Sequence, residues 1–194
     1  MLASRHQGRV NNDNYDTCPN DLRFMLGLCS KDDVVWDPFV CDGFSQRYMS
    51  HLGYATYETD KDFFAHDVPP QVTKIVTNPP FSDKQRVIKH LATLGVDFVL
   101  LLPLSMITTI YFNDAVNSTS NTHEWHMYLP NRVVKYHSGG VLKIGCPFNS
   151  MFISCIRRPQ PLTGQTVKDM RVSIIEYQKQ LPFQFDGDEM GEDL

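Results

Sequence analysis

The chain has 194 residues, of which 42 % are hydrophobic and 21 % charged, with a formal net charge of −4. That length suits one domain with a sizeable core, since chains of this size bury roughly 70 % of their unfolded surface. No apolar run approaches the ~18 residues of a membrane span, the opening MLASRHQGRVNNDNYD lacks the apolar centre of a secretory signal, and the acidic balance gives no support to tight, autonomous binding of nucleic acid through phosphates alone.

Cys18, Cys29, Cys41, Cys146 and Cys155 are odd in number and lack CxxC spacing. Reduced thiols in an intracellular compartment, cytoplasmic or nuclear, are therefore expected, with neither a disulfide framework nor a metal site. Residues 1–14 are polar and read as disordered, residues 15–182 as one domain, and residues 183–194, most of them DGDEMGEDL, as an acidic disordered tail.

The first helix is expected from Pro19 to Leu28, where Leu22, Met25 and Leu26 follow helical spacing and Asn20 or Asp21 is a candidate cap. Val34-Val35-Trp36 reads as a short strand that stops at Asp37-Pro38. A turn with Asp42-Gly43 follows, then a helix from Ser45 to Leu52 closed by Gly53. Tyr54 to Glu58 reads as a second strand. Val72 to Thr77 reads as a third, ending where Pro79 and Pro80 forbid ladder pairing. Ser82 to Leu94 reads as a helix closed by Gly95. Asp97 to Leu102 is an apolar strand and so central, and Thr108 to Val116 is helical. Residues 117–131 read as a polar loop with a few aromatics, His123, Trp125 and His126 among them. Arg132 to Tyr136 and Ser150 to Ile156 read as late strands, the second paired beside the central one.

Strands alternating with helices predict a doubly wound, mostly parallel α/β sheet. Ligands in such sheets sit at the carboxyl ends of strands, near the point where strand order reverses. The turns at residues 37–43 and 78–81 both follow strand carboxyl ends and are expected to face one crevice.

In Asp37-Pro38-Phe39-Val40-Cys41-Asp42-Gly43, the glycine lets backbone approach a ligand closely and the helix start presents free N–H groups. In Thr77-Asn78-Pro79-Pro80-Phe81, two prolines fix the backbone, remove two donors and leave carbonyl oxygens to accept hydrogen bonds from a ligand. Asn78 adds an amide oxygen and Phe81 an aromatic face. An amino group between such acceptors and capped by a ring describes adenine or an amide.

Asn78-Pro79-Pro80-Phe81 resembles the (Asn/Asp)-Pro-Pro-(Tyr/Phe/Trp) signature of the amino-methyltransferases, and in its Asn-Pro-Pro-Phe form is similar to their N6-adenine members. Residues 37–43 resemble the Asp/Glu-Pro-Phe-x-Gly-x-Gly cofactor motif of that family, with Cys41 standing where the first glycine is usual. Tyr15-Asp16-Thr17-Cys18-Pro19 resembles the Thr-Pro segment that covers the methionine end of S-adenosyl-L-methionine. Asp60-Lys61-Asp62-Phe63-Phe64 resembles the stretch beside the cofactor's adenine. The resemblance spans about residues 15–105, more loosely to Ile156.

The resemblance implies a Rossmann-like class I methyltransferase fold and transfer of a methyl group from S-adenosyl-L-methionine to N6 of adenine in DNA or RNA. It implies Asn78, Pro79, Pro80 and Phe81 as the catalytic turn, with Asn78 Oδ1 and the Pro79 carbonyl accepting from N6. Thr17, Pro19, Asp37, Pro38, Phe39, Asp42, Gly43, Glu58, Asp60, Asp62 and Phe63 are the implied cofactor residues. Among them Asp37 lies near the cofactor's amino group, Glu58 or Asp60 on its ribose, and Asp62 and Phe63 or Phe64 on its adenine. Lys84, Arg86 and Lys89 either meet phosphates or form a solvated helix face. Only residues 111–147 offer room for target recognition, so loops or a partner subunit are expected to supply it. Two other readings are a protein glutamine-amide methyltransferase, against which Phe81 and the short amino terminus speak, and an inactive scaffold on the same fold, which Cys41 favours and the intact catalytic turn opposes.

Overall fold

The computed structural model describes residues 16–40, 43–59, 61–65, 67–138, 141–143, 148–160 and 170–175. The expectations for residues 1–14 and 183–194, and for Cys41, Asp42 and Asp60, lie outside the described residues.

Strand β5 (Asp97–Pro103) is the axis of the molecule: every residue after Asp97 is buried, as its unbroken apolar run predicts. On one side of it lie β4 (Lys74–Thr77), β2 (Val34–Trp36) and the edge strand β3 (Ala55–Tyr57), all parallel. On the other side β9 (Ser150–Arg157) runs antiparallel to β5, followed by β6 (His123–Pro130) and β10 (Met170–Ile175). The sheet order is therefore β3-β2-β4-β5-β9-β6-β10, with β9 the one reversed strand among those described. The expected doubly wound, mostly parallel sheet is present.

Alternation along the strands feeds two cores. Phe98, Leu100 and Leu102 of β5 join Ile75 and Trp36 on one face. That face is covered by α3 (Lys84–Leu94) through Val87, Ile88 and Leu91, and by α4 (Ile110–Thr119) through Phe112, Ala115 and Val116. Val99 and Leu101 join Val35 and Val76 on the opposite face. There α1 (Pro19–Leu26) and α2 (Phe44–His51) cover them with Leu22, Met25, Leu26, Tyr48 and Met49. A second small sheet pairs β1 (Asp16–Thr17) with β7 (Tyr136–Ser138) and β7 with β8 (Val141–Lys143), both antiparallel. No helix among the described residues is long and apolar enough to cross a membrane.

Three expectations are corrected. Cys18, not Asn20 or Asp21, is the residue before the first helix, in extended conformation. Pro19 occupies the first helical position, where its missing N–H costs nothing. The expected loop at 117–131 is instead the end of α4 and strand β6, whose Trp125 and Met127 point into the first core while Glu124, His126 and Tyr128 lie on the other face, Tyr128 against the second core. The polar letters obscured a period of two. Arg132–Tyr136 is not a strand; pairing starts only at Tyr136. Beyond these, β10 was not anticipated from the sequence, whereas the strand expected at Ser150–Ile156 does pair with β5.

His123 opens β6 with only 6 % of its surface exposed. Its Nδ1 lies 2.8 Å from Thr122 Oγ1, and its buried Nε2 has no hydrogen-bond partner. Burial holds the imidazole below its ordinary pKa, with Asp97 pulling it up and Arg157 pushing it down. A base depressed in the fold leaves stability intact above its unfolded pKa of about 6.5. Below that value the unfolded chain takes up a proton that the folded chain resists, so stability falls until the folded pKa is passed. The urea midpoint is expected to drop from about pH 7.5 to about pH 5.5, and to drop less in His123→Gln. Equal slopes in the two proteins would contradict a neutral buried imidazole.

Candidate active site

The parallel register carries three strands to one edge. Trp36 of β2 lies opposite Ile75 of β4 and Tyr57 of β3, so Asp37, Glu58 and the Thr77-Asn78 step all leave the sheet at the same end. Asp37 is the junction there. Its Oδ1 accepts hydrogen bonds from Thr77 Oγ1 at 2.6 Å and from the Phe39 backbone N–H at 3.1 Å, and its Oδ2 accepts from Ser45 Oγ at 2.6 Å. Ser45 lies two residues beyond Gly43, and Thr77 immediately precedes Asn78. One carboxylate thus ties the glycine turn to the Asn-Pro-Pro-Phe turn, and the two expected motifs meet.

Within the second turn the oxygens divide. The Pro80 carbonyl accepts the Asp83 N–H at 3.0 Å, in the turn that starts α3. The Phe81 carbonyl accepts Lys84 Nζ at 2.6 Å. The Pro80 carbonyl is therefore engaged by the fold, and it is the Pro79 carbonyl that the resemblance assigns to the ligand. Asn78 is half-buried and its Oδ1 is shielded from solvent, while Pro79, Pro80 and Phe81 are buried. The Phe81 ring packs edgewise with Phe148, at 4.9 Å between centroids, and with Tyr136, at 6.0 Å. Tyr136 in turn has its hydroxyl 2.7 Å from Ser150 Oγ. Thr17 pairs with Tyr136 across the small sheet, so the Thr17-Cys18-Pro19 segment lies beside the wall that supports Phe81. Pro19 starts α1, and the Cys18 thiol donates to the Lys135 carbonyl at 3.2 Å.

On the cofactor side, Gly43 takes a left-handed φ of 79° at the start of α2. Pro38 and Phe39 are buried, Phe39 within the first core. Glu58 is exposed just past β3. Asp62 is exposed and its Oδ1 accepts the Phe64 N–H at 3.1 Å, pinning a tight turn. Phe63 is sealed in the core at 1 % exposure, edge-on to Trp36, Phe39 and His90. Phe64 is half-buried under the Arg86 guanidinium, 3.7 Å from its ring centre. Of that aromatic pair, Phe64 is the one that reaches the surface. Lys84 and Arg86, candidates for phosphate contact, both have partners within the fold, whereas Lys89 is exposed.

Thr77, Ser45, Tyr136 and Phe148 are site residues that sequence reasoning gave no role. Thr77 was visible as the residue before the turn, but its partner lies forty positions away, beyond any local pattern. Among the described residues no group of three or more His, Cys, Asp or Glu side chains could hold a metal ion.

These residues fit an adenosyl-sulfonium ligand. Gly43, without a side chain, opens α2 beyond the end of β2, and an exposed carboxylate of the kind that accepts from ribose hydroxyls, Glu58, stands at the end of the neighbouring strand.

No protein-family model matches the chain, and no curated protein is similar to it. Solved structures are. The 23S rRNA methyltransferase ErmE aligns over 74 % of this chain and 69 % of its own, with a TM-score of 0.52 and 15 % identity. A putative class I S-adenosylmethionine-dependent methyltransferase from Listeria monocytogenes aligns over 88 % of this chain and 68 % of its own, with a TM-score of 0.52 and 10 % identity. The fold is the Rossmann-like fold of the class I methyltransferases.

A Cβ added at Gly43 would sit 2.9 Å from an Arg47 guanidinium nitrogen, a flexible group that can swing away; the φ is the lasting obstacle. Gly43→Ala is expected to destabilise the protein by about 1–2 kcal/mol, the cost of a side chain in left-handed backbone. Urea unfolding measures it, and a midpoint unchanged from wild type would show that the turn relaxes.

Proposed function

We propose that residues 15–182 form one methyltransferase domain that carries a methyl group from S-adenosyl-L-methionine to the N6 amino group of an adenine in DNA or RNA. The observation that carries the reading is the Asp37 junction. It holds the Asn78–Phe81 turn and the Gly43 turn within one set of hydrogen bonds at the carboxyl edge of the sheet. The solved 23S rRNA methyltransferase supports a nucleic-acid acceptor for this fold.

Adenine N6 shares its lone pair with the ring and is a poor nucleophile. On this reading, Asn78 Oδ1 and the Pro79 carbonyl accept hydrogen bonds from the amino group. They favour tetrahedral nitrogen and stabilise the positive charge that develops there. With Pro80 committed to the helix start, these two oxygens form the acceptor pair. Phe81, braced by Tyr136 and Phe148, limits where the base can lie. S-adenosyl-L-methionine, when bound, supplies an electrophilic methyl on sulfur. Gly43 and the Thr17-Pro19 segment would line its methionine end, Glu58 or Asp60 its ribose, and Asp62 with Phe64 its adenine, with Phe39 and Phe63 packed behind Phe64. Asp37 and Pro38 shape the turn between, and Asp42 is assigned to the cofactor side by the resemblance. Transfer would form the N–C bond as the methyl group's bond to sulfur breaks, and the surplus amino proton would leave to water. Alignment carries most of the rate. A base in a duplex has first to be flipped out, a cost that unpaired substrates avoid. A partner subunit or the loops within residues 111–147 supply target choice.

Radiolabelled S-adenosyl-L-methionine incubated with the protein and a panel of DNA, RNA and protein, followed by nucleoside analysis, is expected to place label in N6-methyladenosine or its deoxy form. Asn78→Ala is expected to lower that incorporation by about 10²–10³-fold, the scale of losing one preorganised electrostatic partner. Label on glutamine, or undiminished transfer by the variant, would overturn the assignment.

A further inference from the structure

We propose that Asp37 is a positioning residue: through Thr77 it sets the angle of the acceptor turn, and through Ser45 it sets the cofactor turn, so that one carboxylate fixes the distance between the reacting partners. This rests on the methyltransferase reading given above. The geometry supports a clamp more than an ordinary turn. Both oxygens of Asp37 are engaged, each by a hydroxyl at 2.6 Å, a length typical of a strong O–H···O⁻ bond. The residue is 8 % exposed, so these bonds are little weakened by competition with water. The two hydroxyls come from different elements, β4 and α2, and Asp37 itself comes directly after β2. The Phe39 N–H, also on Oδ1, stops the carboxylate from rotating freely.

The arms act on different parts of the site. Thr77 shares a peptide bond with Asn78, so the direction of the Asn78 side chain depends on how the Thr77 hydroxyl is held. Pro79 and Pro80 stiffen the rest of the turn, and a tilt at Thr77 is passed along it instead of being absorbed. Ser45 stands in the first turn of α2, two residues after Gly43, and anchors the end of that helix to Asp37. Methyl transfer needs donor and acceptor in line, and a misplacement of about 1 Å can cost on the order of 100-fold in rate. A carboxylate already held by both turns is well placed to prevent that.

The test uses the full chain as wild type, Thr77→Val, Thr77→Ser and Ser45→Ala. Valine keeps the branched shape of threonine and removes the hydroxyl, whereas serine keeps the hydroxyl. Three quantities are read: hydrogen exchange at the Asn78, Phe81 and Ser82 amides in ligand-free protein, the calorimetric dissociation constant for S-adenosyl-L-methionine, and the single-turnover rate of methyl transfer to an adenine-containing oligonucleotide. Thr77→Val is expected to act mainly on the transfer rate, lowering it about 10- to 100-fold, with Thr77→Ser returning most of it. Ser45→Ala is expected to act mainly on cofactor affinity. It should also speed exchange at Asn78 and Phe81, although it lies on another element, because the carboxylate that holds Thr77 has lost its second anchor. A purely structural tie would shift affinity and rate alike in both variants, and a role for the threonine methyl alone would show no serine rescue; either result overturns the proposal. Unchanged exchange at Asn78 in both Thr77→Val and Ser45→Ala also overturns it. If wild type transfers no methyl group, the functional reading fails, and the exchange data still decide the clamp on their own.

Discussion

A carboxylate at the end of one short strand holds the candidate site together. β2 contributes three residues before Asp37, too few to fix the geometry of the adjoining turn by ladder pairing alone. The hydroxyls of Thr77 and Ser45 extend the order of the sheet past its last backbone bond, into two turns that would otherwise be free to shift. The arrangement is possible because Asp37 is nearly buried by its neighbours, so that water competes little for the carboxylate. Buried carboxylates are costly unless fully bonded, and the same cost that makes this one rare makes its geometry specific.

The rest of the architecture serves that edge. The unbroken apolar run of β5 sets the axis, and alternation along β2, β4 and β5 divides the helices between two faces. The reversed strand β9 brings Ser150 to the end of the sheet where β5 finishes, beside Pro103. Ser150 meets Tyr136, Tyr136 meets Phe81, and Thr17 pairs with Tyr136. A chain of contacts thus runs from the amino-terminal segment to the acceptor turn without passing through the sheet. The small β1-β7-β8 sheet flanks the Asn78–Phe81 turn on this side through Tyr136.

The legible parts of the sequence were those where punctuation and period agree. β2, β4 and β5 are apolar runs ended by proline or bounded by glycine, and the Asn-Pro-Pro-Phe turn is marked by its own letters. β6 was missed because His-Glu-Trp-His-Met-Tyr contains four polar or titratable residues. Yet Trp125, Met127 and Leu129 recur at the strand period, and composition had overruled a readable pattern. β10 was missed for a different reason. Its outer residues Val172 and Ile174 are exposed, so the strand exists by pairing with β6 rather than by burial of its own. Phe63 shows a third kind of limit. An aromatic beside a candidate acid reads as a ligand contact, but the rings of Trp36, Phe39 and His90 close around it and leave Phe64 nearer the surface.

Hydrogen-bond partners across forty residues leave no trace in local pattern, and a partner only three residues away changes the chemistry that the motif suggests. Two prolines in a row offer two carbonyls on paper, but the Asp83 N–H takes one of them at the start of α3. The N–H groups at a helix start have no acceptor within the helix, so a proline carbonyl just upstream is a natural partner for one of them. The Pro80 carbonyl is thereby tied to the helix start, and the pair that the resemblance assigns to the amino group is the other one. Asn78 Oδ1 and the Pro79 carbonyl are adjacent along the chain, and both come directly after Thr77, whose hydroxyl is fixed. On the proposed reading, the two oxygens that select the amino group and the hydroxyl that aims them belong to one rigid tripeptide, anchored at Asp37.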